Sequence, residues 1–352
     1  MKETDIEIQA LIERYKHLEK FVSERLHNIF ADSGLMIHVT HRIKTPDSIK
    51  GKLDRKPNEY SSIYEIYDIL GFRVICYMST DVDLAAKLIA DKFRVDWNRS
   101  KDKRKIIDAR SFGYLALHYV CALPENESEL SDLWFEIQIK TILQHCWAEI
   151  EHDLGYKSEF EVPRDIRRSF SKAASLLETA DDIFVYIRKS LNEYRIKIKQ
   201  DIENDKLDEL FFDKITLAEF TSNNIAYRNL LNEIAAVTNA RILEGNSESQ
   251  LPLINFFEIR SFRDMVNLIN EEHDLALKLA RELLQDSEID ELSSTAAYHF
   301  LFRARLIRGS YSKEKIREFF MLTMKNEKLI ESNTNKIIDM RKKFFGLPES
   351  NS

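Results

Sequence analysis

The sequence has few cysteines, glycines and prolines for its length, and it has no long uncharged apolar run. Only three cysteines, eight glycines and six prolines occur among 352 residues. Cys76, Cys121 and Cys146 lie in apolar patterned segments without metal-like spacing, which argues against a disulfide framework and predicts a reducing, cytoplasmic location. Because no stretch approaches the length of a membrane span, and the N-terminus lacks the apolar core of a signal peptide, we expect no membrane association.

The charge and the length indicate a folded protein with two domains. Charged residues make up 32% of the chain and hydrophobic residues 44%, as in ordinary globular proteins. The formal net charge of −7 argues against general nucleic-acid coating, but a local basic site stays open in residues 99–110. That segment fits either a solvated loop or a phosphate site. A chain of this length is longer than a single hydrophobic core usually supports, so we predict two domains, 1–202 and 203–352.

Strand patterns occupy the first half of the chain and helical patterns the second. The clearest alternation lies in 36–44, where apolar and polar side chains take turns. From Pro163 onward the pattern is helical, beginning with a long helix over about 164–202. We predict an α/β (α+β) fold, a mixed five-stranded sheet flanked by helices, followed by an all-α C-terminal region. The other predicted strands are 72–78, 93–97, 114–123 and 134–140.

The segment Phe135–Lys157 combines a strand pattern with a helical one. Glu136, Gln138 and Lys140 alternate with apolar residues, and a helical pattern that carries His145 follows directly. Because successive strand side chains point to opposite faces, these three polar groups share one face. A strand with such a face displays its polar groups in a cleft.

Carboxylates and basic side chains near the strands predict phosphate chemistry. Asp68 and Glu136 stand at strand edges, and Mg²⁺ in nucleotide sites takes one or two carboxylates together with phosphate oxygens. Arginine offers planar donors to phosphate and stacks on bases. The set predicts metal-assisted phosphoryl or pyrophosphoryl transfer, and the lack of a Gly-rich P-loop argues against a Walker-type enzyme. The nearby basic residues are Arg42, Lys44, Lys52, Arg55 and Arg73, and Tyr114 and His118 share one face of a later strand.

Five motifs follow one another in the first half of the chain. They are His41–Lys44, Ser48–Lys52, Asp68–Arg73, Gly113–His118 and Glu136–Glu149, the last followed by His152. Their order and spacing resemble the RelA/SpoT synthetase domain over roughly residues 35–170. The resemblance implies a nucleotidyltransferase-like fold that transfers pyrophosphate from ATP to the 3′-hydroxyl of GDP or GTP and makes the alarmone (p)ppGpp. The family's separate hydrolase domain has no counterpart here, so the expectation is synthesis alone.

The resemblance also implies a role for each matching residue. Arg42 and Arg73 would sandwich the ATP adenine, and Asp68 and Glu136 would bind Mg²⁺, with Glu136 also assisting deprotonation of the attacking hydroxyl. Tyr114 would stack on the acceptor base. The remaining ATP-binding residues would be Lys44, Ser48, Lys52 and Arg55, and the remaining acceptor residues His118, Gln138, Lys140, His145 and Arg110. The structural alternatives are that Tyr114 packs in the core and that His118 is a buried histidine whose hydrogen bonds are satisfied.

The departures from the family lie around the acceptor. Leu115 and Ala116 stand where the family has Arg and Ser, and Lys140 replaces the more frequent arginine. Two other acceptors therefore stay open, the 3′ CCA end of tRNA and adenosine nucleotides. A hypothesis from another class is a catalytically weak nucleotide-sensing or partner-binding module, against which the intact Asp68 and Glu136 count. For the C-terminal helices, regulation, a homo-oligomer contact, a protein partner and plain packing are all open.

Overall fold

The computed structural model describes residues 3–55, 60, 62–102, 104, 116–125, 127–154, 163–285 and 287–346. They belong to two compact units, Met1–Lys189 and Ser190–Ser352. This division falls within a 40-residue helix, Arg164–Glu203. The predicted domain limits of 1–202 and 203–352 stay a prediction.

The first unit is a mixed sheet flanked by helices, which confirms the predicted fold class. The strands are β1 (Ile37–Ile43), β2 (Leu70–Cys76), β3 (Arg94–Val95), β4 (Lys101–Asp102), β5 (Leu117–Ala122) and β6 (Phe135–Thr141). The helices are α1 (Glu3–Ala31), α2 (Pro46–Arg55), α3 (Ser79–Lys92), α4 (Ile142–Asp153) and α5 (Arg164–Glu203).

The sheet has the order β1-β2-β6-β5-β3, with β4 also paired to β5. Strands β2 and β6 are parallel, and the other pairs are antiparallel. The described strands number six rather than the predicted five because Lys101–Asp102, inside the predicted basic loop, pairs with β5. A two-residue strand made by pairing alone has no alternation that the sequence could reveal.

The core of the first unit lies on one face of the sheet. Helix α1 buries apolar residues at helical spacing, and β2 and β6 bury alternate residues such as Phe72 and Ile137. Helices α1 and α3 contact this side. Alternation then puts the polar residues of the same strands on the opposite face. The buried apolar positions of α1 are Ile8, Leu11, Tyr15, Leu18, Val22 and Leu26.

The second unit is helical, as predicted, with one addition. Two three-residue strands, β7 (Arg241–Leu243) and β8 (Glu291–Ser293), form a parallel pair. Its core contains fully buried aromatic residues, among them Tyr227, Tyr298 and Phe302. In the described part of the chain no helix combines the length and the apolarity of a membrane span. The helices are α6 (Lys214–Asn223), α7 (Ile225–Ala236), α8 (Leu251–Phe256), α9 (Phe262–Leu284), α10 (Ala296–Arg308), α11 (Lys313–Met321) and α12 (Glu327–Phe345).

Candidate active site

The polar face of the sheet forms a cleft of about 150 Å³, here called the sheet cleft. The strand register creates it, because Arg42 lies opposite Gly71, and Gly71 lies opposite Glu136. Gly71 stands between two long side chains in one cross-strand row, and its missing side chain leaves the floor open. The predicted site residues that line the sheet cleft are Arg42, Lys44, Asp68, Arg73, Glu136 and Gln138.

Asp68 is held by two lysines just before β2 begins. Lys44 Nζ donates to Asp68 Oδ2 at 2.9 Å and Lys52 Nζ donates to Asp68 Oδ1 at 2.8 Å. Partial burial alone would raise the pKa of Asp68, but the hydrogen bonds and charges of Lys52 and Lys44 outweigh it and lower the pKa below its ordinary value. Asp68 is therefore an anion at neutral pH.

Glu136 is held by a histidine and an amide. Its Oε1 lies 2.8 Å from His118 Nδ1, and Gln138 Nε2 donates to its Oε2 at 2.7 Å. Burial alone would raise the pKa of Glu136, but the hydrogen bonds from His118 and Gln138 and the charge of His118 lower it below its ordinary value. The register brings His118 here, because it lies opposite Gln138, one step along the same face from Glu136.

Arg42 and Arg73 are diagonal neighbours on adjacent antiparallel strands. Arg42 lies opposite Gly71, and Arg73 is two residues beyond it on the same face. Diagonal neighbours of this kind have Cα atoms roughly 7–8 Å apart, so a planar group fits between two long side chains. Arg73 Nη1 also lies 3.1 Å from Glu149 Oε1 on α4.

Helix α2 presents Lys52 to the Asp68 carboxylate, and its other predicted residues form hydrogen bonds with residues close to them in sequence. The Nζ of Lys52 lies 4.9 Å from the centroid of the Tyr60 ring and 5.5 Å from that of Tyr67. Ser48 Oγ lies 2.9 Å from Thr45 Oγ1, and Arg55 Nε donates to the Gly51 carbonyl at 2.8 Å. Positions 48, 52 and 55 share one helix face.

The remaining predicted acceptor residues lie away from the lining of the sheet cleft or outside the described residues. Lys140 is buried on β6, on the face that carries Glu136 and Gln138. His145 lies on α4, where its Nδ1 is 3.8 Å from Glu149 Oε1. Partial burial and the positive charge of Lys140 lower the pKa of His145, which favours a neutral ring. The predicted residues Tyr114 and Arg110 lie outside the described residues.

The donor set of the sheet cleft fits a magnesium ion that also binds substrate. Asp68 and Glu136 are two ionised carboxylates on one cleft, and hard divalent cations prefer oxygen ligands. Within the described ranges, no group of three or more His, Cys, Asp or Glu side chains could hold a metal by itself. Substrate phosphate oxygens would complete the coordination.

Sequence analysis included Glu149 in the last motif but gave it no role in the site, and it did not single out Tyr67. Glu149 contacts Arg73, and Tyr67 contacts Lys52 and lies 6.0 Å from the guanidinium carbon of Arg99. The spacing of Glu149, four residues after His145, is a signal that both share one helix face. For Tyr67 the only signal is its position beside Asp68.

Comparisons with known proteins agree with the motif pattern. Residues 41–161 match the family described as a region found in RelA / SpoT proteins. The GTP pyrophosphokinase YwaC of Bacillus subtilis (strain 168) is 30% identical over 159 residues, which cover 44% of this chain and 75% of that protein. A second GTP pyrophosphokinase of that organism, YjbM, is 28% identical over 156 residues, covering 44% and 73%. The match to the crystal structure of small alarmone synthetase 1 from Bacillus subtilis covers 53% of this chain and 97% of the synthetase chain, with 25% identity and a TM-score of 0.46.

Proposed function

The chain belongs to the RelA/SpoT family, and from this premise we propose that it transfers the β,γ-pyrophosphate of ATP to the 3′-hydroxyl of GDP or GTP and makes (p)ppGpp. The observation that carries the proposal is the pair of ionised carboxylates, Asp68 and Glu136, on a cleft that also carries Arg42 and Arg73. Pyrophosphate transfer needs negative charge for a cation and positive charge for phosphates within one site.

The ATP base would lie between Arg42 and Arg73. Their diagonal placement on β1 and β2 supports this, because two guanidinium planes can then face opposite sides of one flat ring. Glu149 supports the orientation of Arg73 through its ion pair. Stacking of this kind recognises a base without hydrogen bonds to its edge.

The ATP phosphates would lie along the basic side chains of β1 and α2. Lys44 and Lys52 both reach Asp68, so two ammonium groups stand beside the same carboxylate. Ser48 and Arg55, on the α2 face of Lys52, would add a hydroxyl and a guanidinium to the phosphates. Positive charge placed before the substrate arrives needs no reorganisation during transfer.

Asp68 and Glu136 would hold Mg²⁺. When bound, the ion neutralises the charge of phosphate oxygens and polarises the transferred group. Their lowered pKa values support this role, because both side chains are anions well below neutral pH.

Glu136 would also receive the hydrogen bond of the acceptor 3′-hydroxyl. His118 and Gln138 fix its two oxygens, so the carboxylate is oriented before the acceptor binds. In the reaction the 3′-oxygen forms a bond to the β-phosphorus of ATP, the bond from that phosphorus to the α–β bridging oxygen breaks, and AMP leaves. The hydroxyl proton passes to Glu136 or to water. His145, Lys140, Tyr114 and Arg110 would contact the acceptor.

The acceptor is tested by supplying all of its candidates. The protein is incubated with Mg²⁺ and ATP labelled in the γ-phosphate, together with GDP, GTP, AMP or deacylated tRNA, and the products are separated by thin-layer and gel electrophoresis. We expect label in ppGpp or pppGpp. Label on tRNA or in an adenosine product would show that the reaction is the proposed one but that the acceptor is not a guanosine nucleotide. No transfer to any acceptor would favour the nucleotide-sensing module.

The site is tested with Glu136→Gln, which keeps the shape of the side chain and removes its charge. We expect the rate to fall by roughly 10²–10⁴-fold, the usual contribution of a positioned acid or base. Glu129→Gln, a change in an exposed loop residue, is the matched control and should react like the unaltered protein. Removal of Mg²⁺ with EDTA should stop the transfer reversibly. Retention of full activity by Glu136→Gln would refute the assignment.

A further inference from the structure

The second unit contains a cleft of about 440 Å³, here called the helical cleft. Its size falls within the range of small-molecule sites. Most of the lining is apolar, and its polar groups are few and come mainly from α10 and the residues before it. The apolar lining residues include Leu253, Leu284, Leu292, Phe300, Phe319 and Met324.

Arg303 on α10 is the charged group of the helical cleft. Its side chain lines the cleft, although only 8% of the residue is exposed. The guanidinium carbon lies 5.3 Å from the centroid of the Phe320 ring, and Nη1 contacts His299 Nε2. Among the described residues, no carboxylate lies within ion-pair distance of Arg303. The neighbouring Arg305 and Arg308, in contrast, both pair with the fully buried Glu272.

His299 does not neutralise Arg303. Burial and the positive charge of Arg303 both lower the pKa of His299, so the ring is neutral. Its Nε2 then accepts a hydrogen bond from Arg303 Nη1. Burial lowers the pKa of Arg303 only to about 10. Arg303 therefore keeps its charge at neutral pH, and the helical cleft carries one uncompensated positive charge.

A buried charge without a partner is costly unless a ligand supplies the partner. A guanidinium offers a planar fork that matches a carboxylate in a bidentate pair. One such group suits a single negative charge better than the larger charge of a nucleotide phosphate chain, and the apolar walls suit a hydrocarbon or aromatic body. We propose that the helical cleft binds a small apolar monocarboxylate, whose carboxylate pairs with Arg303 and whose body packs between α10 and α11.

Calorimetric titration of the full chain tests this site. The probes are apolar monocarboxylates from benzoate to dodecanoate, each compared with its primary amide, and inorganic phosphate, GDP and ATP are titrated separately. We expect saturable one-to-one binding of at least one carboxylate. Its amide should bind weaker by roughly ten-fold or more, the loss expected when a buried charge-assisted bond is removed.

The matched variants are Arg303→Met, Arg303→Lys and Arg228→Met, the last an exposed arginine of α7. Arg303→Met should bind the carboxylate roughly ten-fold or more weakly, Arg303→Lys should recover part of the affinity, and Arg228→Met should bind normally. Arg303→Met should also melt at a higher temperature without ligand, because an unpaired buried charge is gone. A purely structural Arg303 would give a lower melting temperature.

Besides a lower melting temperature of Arg303→Met, four results would overturn the proposal. The first is that no carboxylate in the series binds, and the second is that a carboxylate and its amide bind equally well. The third is that a folded Arg303→Met protein binds the carboxylate as tightly as the unaltered protein does. The fourth is that phosphate or a nucleotide binds more tightly than any carboxylate and depends on Arg303. Circular dichroism verifies that each variant is folded.

Discussion

At the scale of single residues, the sheet cleft keeps its acidic groups ionised by giving each its own donors. Asp68 has two lysines, and Glu136 has His118 and Gln138. Each arrangement lowers a pKa that burial alone would raise. Acidic groups arranged in this way are ready to bind a cation but are weak bases, so positioning and charge should matter more to this site than proton affinity.

Asp68→Asn should make the first unit less stable at neutral pH and not in acid. The folded-state pKa of Asp68 lies below its unfolded value, so its contribution is present above the unfolded pKa and is lost as pH falls through the folded pKa. Hydrogen bonds to charged groups contribute about 1.5–3 kcal/mol, and partial exposure reduces this to about 1–2 kcal/mol here. The measurement is urea unfolding followed by tryptophan fluorescence, because all three tryptophans lie in the first unit.

The matched control for this experiment is Asp32→Asn, at an exposed position after α1. Its stability should equal that of the unaltered protein both in acid and at neutral pH. An Asp68→Asn protein that loses equal stability in acid and at neutral pH would show that the lysine pairs do not stabilise the carboxylate.

Glu149→Gln should raise the KM for ATP and leave kcat nearly unchanged. Glu149 orients Arg73 through one ion pair, and both side chains are more than a third exposed, at 37% and 49%. Such pairs contribute about 0.2–1 kcal/mol, so the rise in KM should not exceed about five-fold. Steady-state kinetics with varied ATP measure it, with Glu178→Gln on the exposed side of α5 as the control. A lower KM would mean that Glu149 withholds Arg73 from the substrate.

At the scale of elements, the junction between β6 and α4 fixes the helix whose Glu149 contacts Arg73 of the sheet cleft. Thr141 ends β6 and caps α4, because its hydroxyl accepts from the Gln144 N–H and Gln144 Oε1 accepts from the Thr141 N–H. The same hydroxyl donates to Asp181 Oδ2 on α5 at 2.7 Å. One buried side chain therefore joins a strand and two helices, and α4 is the helix that carries Glu149 and His145.

Thr141→Val should destabilise the first unit by about 2–4 kcal/mol, since a helix cap contributes about 1 kcal/mol and a lost bond to a buried charged group costs about 1–3 kcal/mol. Urea unfolding followed by tryptophan fluorescence measures this change, and Trp147 on α4 reports it directly. Thr141→Ser keeps the hydroxyl and should lose much less. Equal losses in the two variants would assign the effect to the methyl group rather than to the hydrogen bonds.

At the scale of the whole molecule, each unit has its own core. The buried apolar residues of 1–189 pack against one face of the sheet, whereas those of 190–352 surround an aromatic group in the helices. Phe302 is fully buried there, with its ring centroid 5.3 Å from that of Phe257 and 5.9 Å from that of Tyr298. The second unit thus has a buried apolar core of its own.

Phe302→Ala should destabilise the second unit by about 3–5 kcal/mol, the usual cost of removing a buried aromatic ring and leaving a cavity. Urea unfolding is followed by far-ultraviolet circular dichroism, which reports the helices of both units, and by tryptophan fluorescence, which reports the first unit alone, so a transition seen only by circular dichroism belongs to the second unit. Leu329→Ala, at a position that is 54% exposed, is the control and should change stability little. A Phe302→Ala protein as stable as this control would contradict a core centred on the aromatic group.

The sequence by itself determined the fold class and most of the lining of the sheet cleft. Alternation on β1 and β6 separates polar from apolar faces, and periodicity along α1 identifies its buried side, because both patterns depend only on local backbone geometry. The order of the motifs identified the family. Short strands such as β4, β7 and β8 could not be predicted, because distant pairing rather than local pattern creates them.

Only the tertiary structure decided which charged groups meet. The contacts of His118 with Glu136, of Lys44 and Lys52 with Asp68, and of Glu149 with Arg73 follow from strand register and helix packing. Helix α10 carries three arginines, and nothing in their spacing distinguishes Arg303 from the two that pair with Glu272. Burial and charge compensation depend on neighbours from distant parts of the chain, and these neighbours are brought together only by folding.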